Sequence, residues 1–182
     1  MTLTFFCILS VPLAALSWRS LFSMKNHGFF RFIVWECILW ISVCNHRYIF
    51  VLEFDFARII SSILMMTSLV LVLSAVYFMK KKGNAAGQRE DTTLFDFEKT
   101  TELVDCGVFG YIRHPMYGSL LCLSWGILLR HIETALIIVA LISTGACVIA
   151  ALIEEKENID YFGDKYTRYQ LKTKMFIPFI GP

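Results

Sequence analysis

Residues 61–78 read SSILMMTSLVLVLSAVYF, a stretch with no charged side chain. A helix of that length that is apolar on every side is stable only inside a large core or in lipid, and roughly 20 apolar residues span a bilayer. The chain is too short to supply the core: it has 182 residues, 57% hydrophobic and 18% charged, against roughly 45–50% apolar in ordinary soluble domains. Lipid is therefore the expected surrounding. The net charge of +2 is too small and dispersed for a nucleic-acid-binding surface.

The apolar runs predict about five spans. The first runs from Leu3 to about Phe22, with Pro12 as a kink that neighbouring helices tolerate. No Lys or Arg precedes it, so it does not read as a secretory signal. The second covers Phe29 to Phe50 and the third Phe56 to Met79. A fourth, shorter one starts at Pro115, a residue suited to a first helical turn, and ends at Leu129; the fifth covers Thr134 to Ile153. The expected organisation is three N-terminal spans over 1–79, a polar loop over 80–106 and a catalytic region over 107–182. Counted by flank, Arg47, Arg58 and Arg130 fall on one side and the other Lys and Arg on the opposite side. By the positive-inside rule the long loop and the C-terminal tail then face the cytoplasm. The expected fold is an all-α integral membrane protein with a C-terminal cytoplasmic segment.

Cys7, Cys37, Cys44, Cys122 and Cys147 lie in apolar stretches and read as small core residues. No CxxC pair occurs, and the four histidines are scattered, so no metal site is expected. GxGxxG after a strand, GxxxxGK[ST] and GxSxG are missing as well. Any cofactor must be held by helix ends and loops.

Three features meet at the expected cytoplasmic edge. Arg113, His114 and Pro115 open the fourth span, with Tyr117 one turn on. They are either interfacial residues snorkelling toward headgroups or donors to an anionic or polar ligand. Glu154 and Glu155 close the fifth span. Carboxylates at a helix C-terminus oppose the macrodipole, so they read either as a solvated charge run continued by Lys156 and Glu157 or as the holder of a cationic group. On that placement Glu155→Ala is expected to spare the fold. The tail then carries Tyr161, Phe162, Tyr166, Arg168 and Tyr169, as interfacial anchors or as a lid. Gly118, Cys122 and Gly126 form a smooth stripe for close helix packing.

The order LVDCGVFGYIRHPMYG, a helical hairpin, EEKENIDYFGDKYTRYQ and IPFI over residues 100–182 resembles the isoprenylcysteine carboxyl methyltransferase family. The segment HPMYGSLLCLSWGILL is also similar to phospholipid N-methyltransferases. The resemblance implies an integral membrane enzyme that uses S-adenosylmethionine, acts on a lipophilic or prenylated acceptor delivered by the bilayer, and resides in the endoplasmic reticulum if eukaryotic. It implies that Arg113, His114, Pro115, Tyr117, Glu154 and Glu155 bind the cofactor, with Arg113 and Glu155 central to catalysis. Transfer itself needs no side-chain nucleophile. Thr101 stands where prenylcysteine-specific members commonly have His, and Val148 to Ala151 where they carry basic residues. The acceptor therefore stays open between a prenylcysteine carboxylate and a phospholipid amine. Sterol reductases, which bind NADPH, share an Arg-His-Pro-like motif but are much longer. A scaffold without chemistry is disfavoured by the intact charged set.

Overall fold

The computed structural model describes residues 2–21, 26–51, 55–83 and 98–178. Among the described residues seven α-helices follow in order: α1 Thr2–Leu16, α2 Trp18–Leu21, α3 His27–Asn45, α4 Phe56–Lys82, α5 Pro115–Leu128, α6 Thr134–Phe162 and α7 Asp164–Lys172. A single 3₁₀ turn, Gly107–Gly110, precedes α5. Helices α3, α4 and α6 are long and apolar enough to cross a membrane, while α1 and α5 are apolar but shorter. Most of the expected 80–106 loop, residues 84–97, lies outside the described residues, as do Phe22 and the end of the IPFI motif.

Helix α4 inverts the burial pattern of a soluble protein. Its buried residues are Ser61, Ser68 and Ala75, spaced by seven. Ile59, Ile63, Met66, Val70 and Leu73 on the same helix are exposed. Small residues inside and large apolar ones outside are what a lipid-facing helix needs, because close approach of backbones replaces the hydrophobic drive between helices. The partner face is α5. Ser61 Oγ donates to the Gly126 carbonyl at 2.6 Å, and a Cβ on Gly126 would lie 2.9 Å from Met65 Cγ. The small stripe on α5 thus serves helix packing.

The main core lies between α3, α5 and α6, around Val34, Ile38, Ile41, Ile127, Leu128 and Leu136. On α6, Ala140, Ser143, Ala146, Cys147 and Ala150 keep one face small, which lets α3 lie close along it. Asn45 Nδ2 donates to the carbonyls of Ile127 and His131, satisfying the orphan end of α5. Only Cys147 of the six free cysteines is buried, Cys7 is exposed and the rest are half-buried. Cys44 and Cys106 still pack against core clusters, whereas the expectation of a core residue fails for Cys7, which is exposed.

Several boundaries differ from expectation: the first apolar run is broken at Ser17 into α1 and α2, and α4 continues past Met79 through Lys82, the first residues of the expected loop. α3 ends at Asn45, and Arg47 to Phe50 form turns. α6 runs through the charged cluster to Phe162, because Glu and Lys are good helix formers whether or not the surroundings are apolar. Glu154 and Glu155 are therefore two turns inside α6, away from its C-terminus, and the macrodipole argument about them lapses. The helix stops at Gly163, whose φ of 59° and ψ of −136° suit glycine and reverse the chain into α7.

Candidate active site

The N-termini of α3 and α5 and the C-termini of α4 and α6 meet at one end of the bundle, where α7 folds back over them. Tyr166 and Tyr169, three apart on α7, are its buried residues and turn inward together. Tyr169 Oη donates to the Phe109 carbonyl at 2.7 Å. Burial pushes both phenols well above their ordinary range, so they remain neutral donors.

Beyond α7 the chain runs alongside the Arg-His-Pro segment. Ile112 and Lys174 form a parallel bridge. Lys174 N donates to the Tyr111 carbonyl at 3.1 Å, Arg113 N to the Lys174 carbonyl at 2.7 Å and His114 N to the Met175 carbonyl at 3.1 Å. These bonds satisfy backbone donors ahead of α5 that would otherwise be stranded.

The side chain of Arg113 completes this closure. Its Nε donates to Glu155 Oε1 at 2.6 Å, and its Nη1 donates to the carbonyls of Gln170 and Thr173. Glu155 also accepts from Gln170 Nε2 at 3.0 Å. One buried ion pair therefore ties α5, α6 and α7 together. Neither residue is an interfacial charge.

Under this clamp lies a cavity of about 260 Å³, near the lower end of the roughly 300–1,000 Å³ of small-molecule sites. Its apolar wall comes from Trp35, Val72, Met79, Val104, Phe109 and Leu120. Its polar wall comes from Arg31, Glu98, Arg113, His114, Tyr117, Glu154 and Asn158, with Tyr166 and Tyr169 above. Of the six residues singled out from sequence, Arg113, His114, Pro115, Tyr117 and Glu154 line the cavity, and Glu155 does not. Neighbouring residues on a helix point about 100° apart, so Glu154 faces the cavity while Glu155 faces the clamp. His114 lies between them, Nε2 at 3.3 Å from Glu155 and Nδ1 at 3.9 Å from Glu154. The buried Tyr117 hydroxyl lies close enough to Glu154 to interact with it, without closing a hydrogen bond of regular geometry.

Sequence reasoning missed Arg31 and Glu98. Arg31, counted from sequence as a flanking charge, is buried in the first turns of α3. Its Nη1 donates to Glu98 Oε2 at 2.9 Å and to Oε1 at 3.2 Å, and its guanidinium lies 5.4 Å from the centre of the Trp35 ring. The available signal was its setting, HGFFRFIVW: a charge among aromatics inside a span needs a partner.

The phospholipid methyltransferase family model matches residues 56–165, more than half of the chain and most of the cavity's walls. The chain belongs to this family. That agrees with the resemblance drawn from the motifs of residues 100–182. Among individual proteins, it is similar to methanethiol S-methyltransferases. The protein of that name from Crocosphaera subtropica is 32% identical over 73 residues, 40% of this chain and 28% of the relative. The one from Pseudomonas deceptionensis is 32% identical over 71 residues, 39% of this chain and 26% of the relative. The matched stretch thus spans little more than a quarter of these relatives' length. No solved structure matches the chain.

Proposed function

We propose that this member of the phospholipid methyltransferase family is a membrane-embedded methyltransferase that takes its methyl group from S-adenosylmethionine and binds it in the 260 Å³ cavity. The observation that carries the reading is the charge balance of the walls. Arg31 is answered by Glu98 and Arg113 by Glu155, which leaves Glu154 as the lining carboxylate without a guanidinium, faced at 3.9 Å by the His114 ring, and in excess when that imidazole is neutral. A buried site with one excess carboxylate fits a ligand of net charge +1, and S-adenosylmethionine, with a sulfonium, an ammonium and a carboxylate, is one. When bound, it supplies a methyl group electrophilic enough for direct displacement; the protein orients the reactants and keeps water out.

The same balance bears on the acceptor. Arg113 is already held by Glu155, and Arg31, paired with Glu98, can serve at most one further carboxylate, which S-adenosylmethionine itself carries. A neutral thiol or amine therefore suits the acceptor position better than the prenylcysteine carboxylate suggested by the motif resemblance. The names of the family and of the similar proteins support the same choice. A long lipid chain of an acceptor would remain in the bilayer beyond Val72 and Leu120, the apolar side of the cavity. Transfer to a thiol or amine releases a proton, and His114 is placed to take it. The positive charge lost from the sulfonium then reappears on the imidazole, between Glu154 and Glu155. Lys80, Lys81 and Lys82 end α4 at the cavity end of the bundle, which supports a cytoplasmic orientation of the site.

Titration of S-adenosylhomocysteine and, in parallel, NADPH into the purified protein in detergent tests the reading. S-adenosylhomocysteine should bind and NADPH should not. Glu154→Gln should weaken S-adenosylmethionine binding roughly 10-fold or more, the scale of a charge-assisted contact, and leave the melting temperature unchanged. Binding of NADPH alone would move the protein to reductase chemistry. Turnover with a small thiol, phosphatidylethanolamine and a prenylcysteine then separates the acceptors.

A further inference from the structure

The two guanidiniums of the cavity are used differently. Arg113 is consumed by the clamp: it holds a carboxylate that does not line the cavity and two backbone carbonyls. Arg31 is paired with Glu98, and both members line the cavity. Each is 8% exposed. The pair therefore presents a fixed positive end and a fixed negative end side by side to whatever occupies the space. Stacking of Trp35 on the guanidinium holds its plane.

A desolvated ion pair is a costly structure, and replacing it with apolar residues is often neutral or stabilising. Its retention in a cavity wall points to a ligand that carries the opposite arrangement of charges. The α-amino acid group is such a ligand: its carboxylate matches Arg31 through charge-assisted, bidentate bonds, and its ammonium matches Glu98. Glu154 remains for the sulfonium.

We propose that Arg31 and Glu98 bind the amino acid end of the cofactor, so that α3 and the segment ahead of Gly107 together supply a cofactor-recognition element. This rests on the assignment of the cavity to S-adenosylmethionine. Two ligands isolate it: S-adenosylhomocysteine, which has the amino acid group, and 5′-methylthioadenosine, which keeps the adenosine and sulfur without it. Calorimetric titration of both into the full-length protein should show the wild type preferring S-adenosylhomocysteine. Arg31→Met should weaken that ligand roughly 10- to 100-fold and leave 5′-methylthioadenosine unchanged, so that the preference collapses. Glu98→Gln, which preserves shape, should reduce the preference in the same direction if Arg31→Met compromises folding. Equal binding of the two ligands to the wild type, or an equal loss of both in either variant, would overturn the assignment and turn the pair toward the acceptor or toward structure alone. Failure of the wild type to bind either ligand would instead remove the cofactor reading itself.

Discussion

Glu155→Ala is the substitution on which the structure and the sequence disagree most sharply. Read as a helix-terminal carboxylate, Glu155 is dispensable for folding; in the structure it is 8% exposed and holds Arg113 Nε at 2.6 Å. Its removal strands a guanidinium that is itself 7% exposed and withdraws the acceptor of Gln170 Nε2. Breaking one side of a buried pair costs about 3–5 kcal/mol, most of it from the uncompensated charge left behind. At about 2–4 °C per kcal/mol for a chain of this length, the expected fall in melting temperature is roughly 6–20 °C. Thermal melting in detergent, followed by tryptophan fluorescence, measures it. Arg113→Met combined with Glu155→Leu should recover most of the loss, since an apolar pair leaves no charge unanswered, and the coupling between the two sites gives the energy of the clamp. A Glu155→Ala protein that melts with the wild type, or a double variant less stable than the sum of the singles, would refute the clamp.

Gly163→Ala forces a Cβ onto a backbone at φ 59° and ψ −136°. It should cost about 1–3 kcal/mol and raise hydrogen exchange across 164–173 as α7 loosens. Gly126→Leu brings side-chain atoms against Met65 and the Ser61 carbonyl and should destabilise by about 1–3 kcal/mol. Gly145→Ala is the contrast: nothing lies within 4 Å of its Cβ, and since Gly inside a helix costs about 0.5–1 kcal/mol relative to Ala, its melting temperature should hold or rise slightly.

The sequence made the C-terminal half of the site legible because its parts are contiguous. Arg113, His114, Pro115 and Tyr117 fall within one turn or two, and Glu154 sits at the expected wall. Glu155 does not line the cavity for a reason visible in helix geometry, since it points about 100° away from Glu154. The end of α6 was misread because a drop in hydropathy marks where a helix leaves apolar surroundings, whereas its hydrogen bonding continues to Gly163. The aromatic setting of Arg31 signalled that it needs a partner, but the partner itself was out of reach: Glu98 is 67 positions away, and no local pattern joins the two. The three long apolar helices were plain from hydropathy, while the small residues that let them approach are distributed with periods that only the packing reveals.

The parallel bridge between Ile112 and Lys174 also bears on how the protein is made. Synthesis runs from the N-terminus, so α3 to α6 emerge before the residues that answer Arg113 through the carbonyls of Gln170 and Thr173. Until residues 173–176 leave the ribosome, the roof of the cavity does not exist, and ligand cannot help assemble the helices beneath it. The site is completed only after the helices beneath it, and their insertion has to succeed without it.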